Sequence, residues 1–522
     1  MSANDTGEGR SLVQAWNDPA PAGGEVVVSG TAVVTESVTL GIGPGGARSL
    51  RVEPGGLVRP ARGVTLTIDA PIGAGRWRIF DLELGGSVVL GPAAGAEVRP
   101  EWFGAVGDGR GDDLPALRAM SRALTRGALV RMSGTYRIVY DRPAPSPPPP
   151  GSAIPVWDGN NATYGILITQ PDVWVVGEGS AGIFMDGYTY DTALQYVDCA
   201  GVDRYTAIAF NGTSGGGVRD LRFTGNGDGT PLVVPGGPPP GQQCWPFLSR
   251  AKGVGITNSS NVTVSGVTGS GIVGNVVNAR GDNTTGSRGI TVTGCRAERC
   301  SENGFNFMGG TYDCTFNDNT SIGNGFSGFE SGTTRITCNN NTCRQNQMHG
   351  INHVGASGTF TNNTLADNVQ VGFVFQAQGA PLLGQNNLVS ANVITGNVVA
   401  GISADPATYG NRITDNQLLD NGAPTVAQGI MLGQPGATGP AGYMISGNRI
   451  QETRSGLLGA VGLMVYGATN LMVTGNTFQM TMQYSVTASG GANQTYVSNV
   501  ANQPFNVSTA VANVVSHDNT IT

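Results

Sequence analysis

A glycine at the head of a short apolar run recurs along this chain at nearly constant spacing. It opens Gly304-Phe-Asn-Phe, Gly328-Phe-Glu-Ser, Gly350-Ile-Asn-His, Gly372-Phe-Val-Phe and Gly401-Ile-Ser-Ala, in steps of 24, 22, 22 and 29 residues. Four residues before the later four glycines stand Asn324, Asn346, Asn368 and Asn397, and nine before stand Asn319, Asn341, Asn363 and Asn392. NVTVSGVTGSGIVGN before this block, and MISGNRI and LMVTGNTF after it, carry the same punctuation less regularly. A period near 22 with short β-type runs between Asn/Gly corners specifies a right-handed parallel β-helix, an all-β solenoid in which each coil supplies about three strands. Successive coils stack about 4.8 Å apart.

This architecture gives the asparagines work. Asn tolerates left-handed corners, and stacked at one corner it forms an amide ladder along the solenoid. Because side chains alternate along a strand, Phe305, Phe329, Ile351 and Phe373 form one inward column. Phe307, Ser331, His353, Phe375 and Ala404 form a second. Between them Asn306, Glu330, Asn352, Val374 and Ser403 are expected to face solvent.

Composition agrees. Of 522 residues 82 are Gly and only 12% are charged, too few for a solvated helical protein, while 39% apolar content is too much for disorder. A net charge of −7 and a single lysine, Lys252, give no electrostatic basis for binding nucleic acid, and no GxxxxGK nucleotide loop occurs. No apolar stretch reaches the roughly 18 residues that suggest membrane insertion. The polar start MSANDTGEGR reads as no secretory signal, so the seven cysteines are expected to be reduced, buried packing residues of a cytoplasmically assembled product. No cofactor is expected.

Residues 1–23 are expected to be a flexible segment, a possible attachment point to a particle, and 24–100 a small β-region of alternating runs such as EVVVSGTAVV and GVTLTID. Asp112 or Asp113 then caps a helix starting at Leu114, with Pro115 in its first turn and Leu114, Leu117, Met120 and Leu124 on its apolar face; it is the only helix expected. The solenoid is placed at 101–522, with loop insertions near 141–160, including the Pro-rich PAPSPPPP, and 186–250.

EWFGAVGDGRGDD followed by a short helix, then GTYRI and VWVVGEGSAGIF, resembles the opening of the pectate-lyase-like parallel β-helix superfamily. With the repeats, the likeness covers about residues 98–520. The resemblance implies that the helix caps the solenoid. Its members include polysaccharide lyases, hydrolases, epimerases and the tailspikes or receptor-binding spikes of phages and phage-like particles, and it implies a homotrimer for a spike. The clustered acidic triad that holds calcium in the lyases is missing, and Ala404-Asp405-Pro406-Ala407 lacks half of the Asp-Pro-His-Glu signature of the mannuronan epimerases.

Among candidate site residues, Glu330 is expected to project outward between Asn306 and Asn352, a row suited to successive sugar hydroxyls. Hydrolysis needs a second carboxyl, about 5–5.5 Å away for retention or about 6.5–9.5 Å for inversion, and Asp318 and Glu302 are nearest in register. The alternative is a solvated glutamate on a β-face. His349 lies at the corner before Gly350, in line with Asn303 and Ser327, as a candidate base; His353 is an interior residue by register. Tyr188, Tyr190 and Trp245, in the second insertion, are candidate sugar platforms, with loop or subunit packing as the plainer alternative. Asp108, Asp112 and Asp113 read as capping residues rather than a calcium loop, so no metal site is expected, and Asp313 with Arg335 reads as an ion pair between coils.

Three functions stay open. The first is a virion-type spike that binds a bacterial surface (capsular) polysaccharide and joins particle proteins through its N-terminal region. The second is a depolymerase of the same fold acting through Glu330. The third is a structural shaft that binds no glycan.

Overall fold

The structure, a computed structural model, describes residues 11–18, 24–41, 48–139, 163–186, 205–230, 251–281, 286–378, 384–423, 428–457, 459–481 and 484–522. They divide into two compact units, one of Met1–Asn226 with Val234–Thr268 and the other of Gly227–Val233 with Gly269–Thr522.

The first unit holds a helix where a flexible segment was expected. Helix α1 (Leu12–Asn17) starts at Ser11 with a reciprocal capping box to Gln14 and buries Leu12, Ala15 and Trp16. The signal was legible as Ser11-x-x-Gln14 ahead of apolar residues. The small β-region that follows is itself a parallel solenoid: Glu25 pairs with Ser49, Leu50 with Ile72 and Thr65 with Ser87, steps of 24, 22 and 22 residues. Its period equals that of the main repeat, but Gly and Pro rather than Asn mark its corners.

Helix α2 (Leu114–Ala123) begins where expected and buries Leu114, Leu117 and Met120, with Leu124 just beyond it. Asp113 is its N-cap by position, yet its carboxylate accepts from the N–H groups of Val106 (2.7 Å) and Arg137 (3.1 Å). Asp112 accepts from Leu114 and Asp108 from Arg110 and Gly111, so all three aspartates hold backbone donors in one turn. The helix then lies along the strand Thr163–Ile168, whose free edge it satisfies with side chains: Arg118 Nε donates to Tyr164 O at 3.0 Å, and Ser121 Oγ accepts from Leu167 N at 2.8 Å. An open parallel edge is a template for association, and α2 occupies it. Coils follow in which one strand goes to each of three parallel sheets, for example Trp174–Gly177, Gly182–Asp186 and Tyr205–Asn211. The expected insertion at 186–250 is therefore not continuous, because Tyr205–Asn211, Gly217–Arg219 and Arg222–Thr224 within it are solenoid strands.

In the second unit the repeat is regular. A coil runs through Thr334–Asn339 in a first sheet, Thr342–Arg344 in a second and Ile351–His353 in a third, each pairing in parallel with strands 22 residues before and after. The inward columns stand as read: Phe305, Phe307, Phe329, Ile351, Phe373 and Phe375 are all buried, and Phe316 stacks on Phe329 with ring centroids 4.0 Å apart. Each such side chain taken from water contributes roughly 1.5–3 kcal/mol.

The corners divide two jobs that the sequence reading had given to one residue. The left-handed positions are Asp318, Asn340 and Asn362, at φ 57, 57 and 56. The next residue in each coil turns inward and builds the ladder. Nδ2 of Asn319 donates to Oδ1 of Asn341 (3.1 Å), Asn341 to Asn363 (2.9 Å), and the series continues to Asn519. A second ladder runs Asn324, Asn346, Asn368, Asn397, Asn421, with amide contacts of 2.8–2.9 Å. Each Oδ1 also accepts the backbone N–H of the asparagine one coil earlier, such as Asn319 N to Asn341 Oδ1 at 2.9 Å.

Candidate functional site

The third sheet of the second unit carries the column Asn278, Asn306, Glu330, Asn352, Val374, Ser403, Met431, each residue in register with the next. These side chains point away from the interior, as expected, but they do not face open solvent. Asn278, Asn306, Asn352, Val374 and Ser403 are 4–7% exposed, and Glu330 is half-buried. Strand alternation decides which side of a sheet a residue takes. It does not decide how much of the side chain water reaches, and here that is little.

Three residues earlier in each coil lies a second outward column of Asn303, Ser327, His349, Val371 and Ala400. Asn303 joins the two columns: its Nδ2 donates to Glu330 Oε2 at 2.6 Å and its Oδ1 accepts from Ser327 N at 2.9 Å. Asn352 Nδ2 donates to Gln376 Oε1 at 2.9 Å. The carbonyl oxygens of Asn278, Asn306 and Asn352, and Nδ1 of His349, are buried with no hydrogen-bond partner among the described residues. A buried acceptor left unmade costs about 1–3 kcal/mol, so a row of them on one face asks for donors from elsewhere. Farther along the same face the lining becomes apolar, with Val371, Val374 and Ala400 clustered against Met431. Amide acceptors beside an aliphatic floor suit a ligand with hydroxyl edges and C–H faces.

The other candidates fall as follows. His349 is half-buried on this face, and burial pulls its pKa down to about 4, leaving the ring neutral near pH 7. His353 is interior, as its register required: Nε2 contacts Asn387 Oδ1 at 3.1 Å, and the ring meets Phe360 edge-on at 4.7 Å. Glu302 is buried at the turn into the strand Phe305–Met308, next in sequence to the Asn303 that bonds Glu330. Asp318 is elsewhere. It is the exposed left-handed corner between the first and second sheets, accepting from Asn340 Nδ2 at 3.3 Å, so its conformation accounts for its presence. Tyr188, Tyr190 and Trp245 lie outside the described residues. Asn278 and Gln376 were missed by sequence reasoning, and Asn303 was read only as lying in line with His349 and Ser327; Asn278 had a signal too, 28 residues before Asn306 in register. Asp405, at the end of the third-sheet strand Ala400–Ala404, accepts from Ala377 N, and burial raises its carboxyl pKa.

Among the described residues no three His, Cys, Asp or Glu side chains converge as metal ligands. The five described cysteines are separate, buried thiols, and burial lifts Cys300, Cys314 and Cys343 to about 12.

Comparison with known proteins adds the following. A family model described as periplasmic copper-binding protein (NosD) matches residues 247–430, the region of the regular coils. The copper in that description has no evident seat in the described residues of this chain. A search of curated proteins finds no match. Among solved structures, the A-module of the Azotobacter vinelandii mannuronan C-5 epimerase AlgE6 aligns over 80% of this chain and 99% of its own, at 18% identity and TM-score 0.53. The Dettilon tailspike protein aligns over 73% and 66%, at 16% identity and TM-score 0.53. The pre-mature gene product 12 of bacteriophage phi29 aligns over 81% and 57%, at 14% identity and TM-score 0.52. At these identities the likeness establishes the fold alone: the chain is a right-handed parallel β-helix.

Proposed function

We propose that the protein binds a polysaccharide along the outward face of the third sheet in its second unit. The observation that carries this reading is the row of buried, unpartnered carbonyl oxygens of Asn278, Asn306 and Asn352 flanking Glu330. On coils about 4.8 Å apart, with Glu330 taking the place between Asn306 and Asn352, they offer acceptors at a repeat that a linear chain of hydroxylated rings can follow. Glu330, held by Asn303, adds a charged acceptor, and Val371, Val374 and Met431 give a sugar ring an apolar bed.

Within this reading the chain serves as a spike of a phage or phage-like particle that recognises a bacterial surface polysaccharide, attaches through its N-terminal region and assembles as a homotrimer. Support comes from tailspike and phage neighbours that share the fold. Cleavage is the second reading. It gives Glu330 the acid or base role with Glu302, adjacent to Asn303, as partner in preference to Asp318, and His349 as a neutral base on the same face.

The test incubates the purified protein with capsular and other surface polysaccharides, following bound protein and new reducing or unsaturated ends. Binding without new ends, weakened by Glu330→Gln, supports the receptor reading. New ends that vanish in Glu330→Gln turn it into a depolymerase. No binding to any such glycan overturns both readings and leaves a structural shaft.

A further inference from the structure

Charge is divided unevenly among the faces of the regular coils. Between residues 300 and 433 the chain has three basic side chains, Arg335, Arg344 and Arg412, and all three stand on strands of the first or second sheet. Among the described residues of this span, the third-sheet strands and the turns beside them carry Glu302, Glu330 and Asp405 but no lysine or arginine. Arg280, in register with Met308 on the same sheet, already has a partner and marks where the stretch begins.

The acids are strung along the solenoid rather than gathered. Asp405 lies three coils beyond Glu330, about 14 Å at the coil spacing. No three acids converge among the described residues, whereas a hard metal ion needs several oxygens around one point. A line of negative charge suits an extended cation.

The uncharged groups between the acids favour ammonium donors. The buried carbonyl oxygens of Asn306 and Asn352 stand one coil to either side of Glu330 without a partner, and Asn278 repeats the pattern one coil earlier. A primary ammonium carries three N–H donors and no acceptor, so it can meet the carboxylate and a neighbouring oxygen together. Ammonium groups joined by three methylenes stand about 5 Å apart when extended, close to the spacing of the coils. Beyond Asn352 the floor of Val371, Val374, Ala400 and Met431 receives methylenes on the way to Asp405.

We propose that this face binds a linear aliphatic polyamine, with one ammonium on Glu330, others on the asparagine rungs and the chain along the aliphatic floor. The inference shares residues with the polysaccharide reading but not its ligand, and neither needs the other.

The test is calorimetric titration of the full chain with spermine, 1,4-diaminobutane and 1,4-butanediol. The diamine is expected to bind about tenfold or more tightly than the diol, spermine more tightly still, and both amines more weakly as ionic strength rises. Glu330→Gln should weaken spermine binding by about tenfold or more. Asn306→Ala, which removes an oxygen the fold does not use, should weaken it several-fold with an unaltered melting temperature. Asp318→Asn removes an equal charge from another corner and should leave binding unchanged, which separates a site from general attraction to a chain of net charge −7. Diol binding as tight as the diamine, equal losses in Glu330→Gln and Asp318→Asn, no loss in Glu330→Gln, or silence with every probe would overturn the proposal. Amine binding without polysaccharide binding would leave it standing and overturn the reading above; the reverse result would do the opposite.

Discussion

Asparagine does opposite things on the two sides of the same coils. In the ladder from Asn319 to Asn519 each amide donates along the stack and accepts from the coil before, so the buried polar atoms are spent on the fold. In the outward column Asn278, Asn306 and Asn352 are buried too, though less completely than the ladder residues before Asn519, yet their carbonyl oxygens hold nothing within the described protein. Satisfied amides in a dry corner fix the coil and its register. Unsatisfied ones on an outer face are a standing cost, and a ligand that supplies donors removes it.

The largest effect should come from cutting a ladder. Asn392 donates to Asn416 Oδ1 (2.9 Å) and Phe360 O (3.0 Å) and accepts from Asn363 N (2.8 Å) and Nδ2 (2.9 Å). Asn392→Ala strands those partners in the interior and is expected to lower unfolding stability by about 2–4 kcal/mol. Asn306→Ala, on the outer face, removes an already orphaned oxygen and should change stability by less than about 1 kcal/mol. Denaturant melts of the two variants side by side check this. Equal losses would mean that the outward column is scaffold too.

The histidines extend the contrast to pH. His353 is fully interior, and burial brings its pKa from the ordinary 6.5 to about 4. Its folded value lies below its unfolded one, so the unfolded chain takes up the proton first as pH falls. Stability from this group is whole above pH 6.5 and drains away as pH drops toward 4, at up to about 1.4 kcal/mol per pH unit. His349, on the outward face, is shifted the same way and adds to the slope. His353→Phe, matching Phe307 and Phe375 in its column, should flatten the dependence of melting temperature on pH in that window. A slope unchanged by that variant would place the acid sensitivity elsewhere.

A smaller effect is expected in binding. Asn306→Ala should weaken polysaccharide binding by about tenfold, the value of one good hydrogen bond, with no matching loss of stability. Binding assays on variants with unaltered melts check it; intact affinity would remove Asn306 from the site.

Where the repeat was strict, the fold could be read almost residue by residue. Gly304, Gly328, Gly350, Gly372 and Gly401 located the third-sheet strands, and the asparagines four and nine residues before them proved to be the two ladders. Period carries that information because stacking forces equal coils into register. The front of the chain repeats at 24 and 22 residues as well, but without an asparagine to mark the corner its coils passed for plain alternating strands. The site was half legible. Register placed Asn306, Glu330 and Asn352 in one row, while how far water reaches them is something alternation does not encode. Asp318 misled for a related reason: a carboxylate near in sequence served a backbone conformation at another corner.

Asp313 and Arg335 supply the smallest effect, and a control for the whole comparison. They are one coil apart, as their spacing of 22 implied, and they join through Nε to Oδ1 at 2.6 Å and Nη2 to Oδ2 at 2.9 Å. The guanidinium holds the Asp313 carboxyl below its ordinary pKa, yet both side chains stand half in water, where screening and side-chain entropy offset the attraction. Both backbones are left-handed, at φ 55 and 57, a conformation that asparagine tolerates better than arginine. Arg335→Asn therefore loses an ion pair and relieves a corner at once, and the melting temperature should stay level or rise slightly. A clear fall would show that polar contacts on the outside of the coils also hold the fold, and the division between structural interior amides and available outer ones would have to be redrawn.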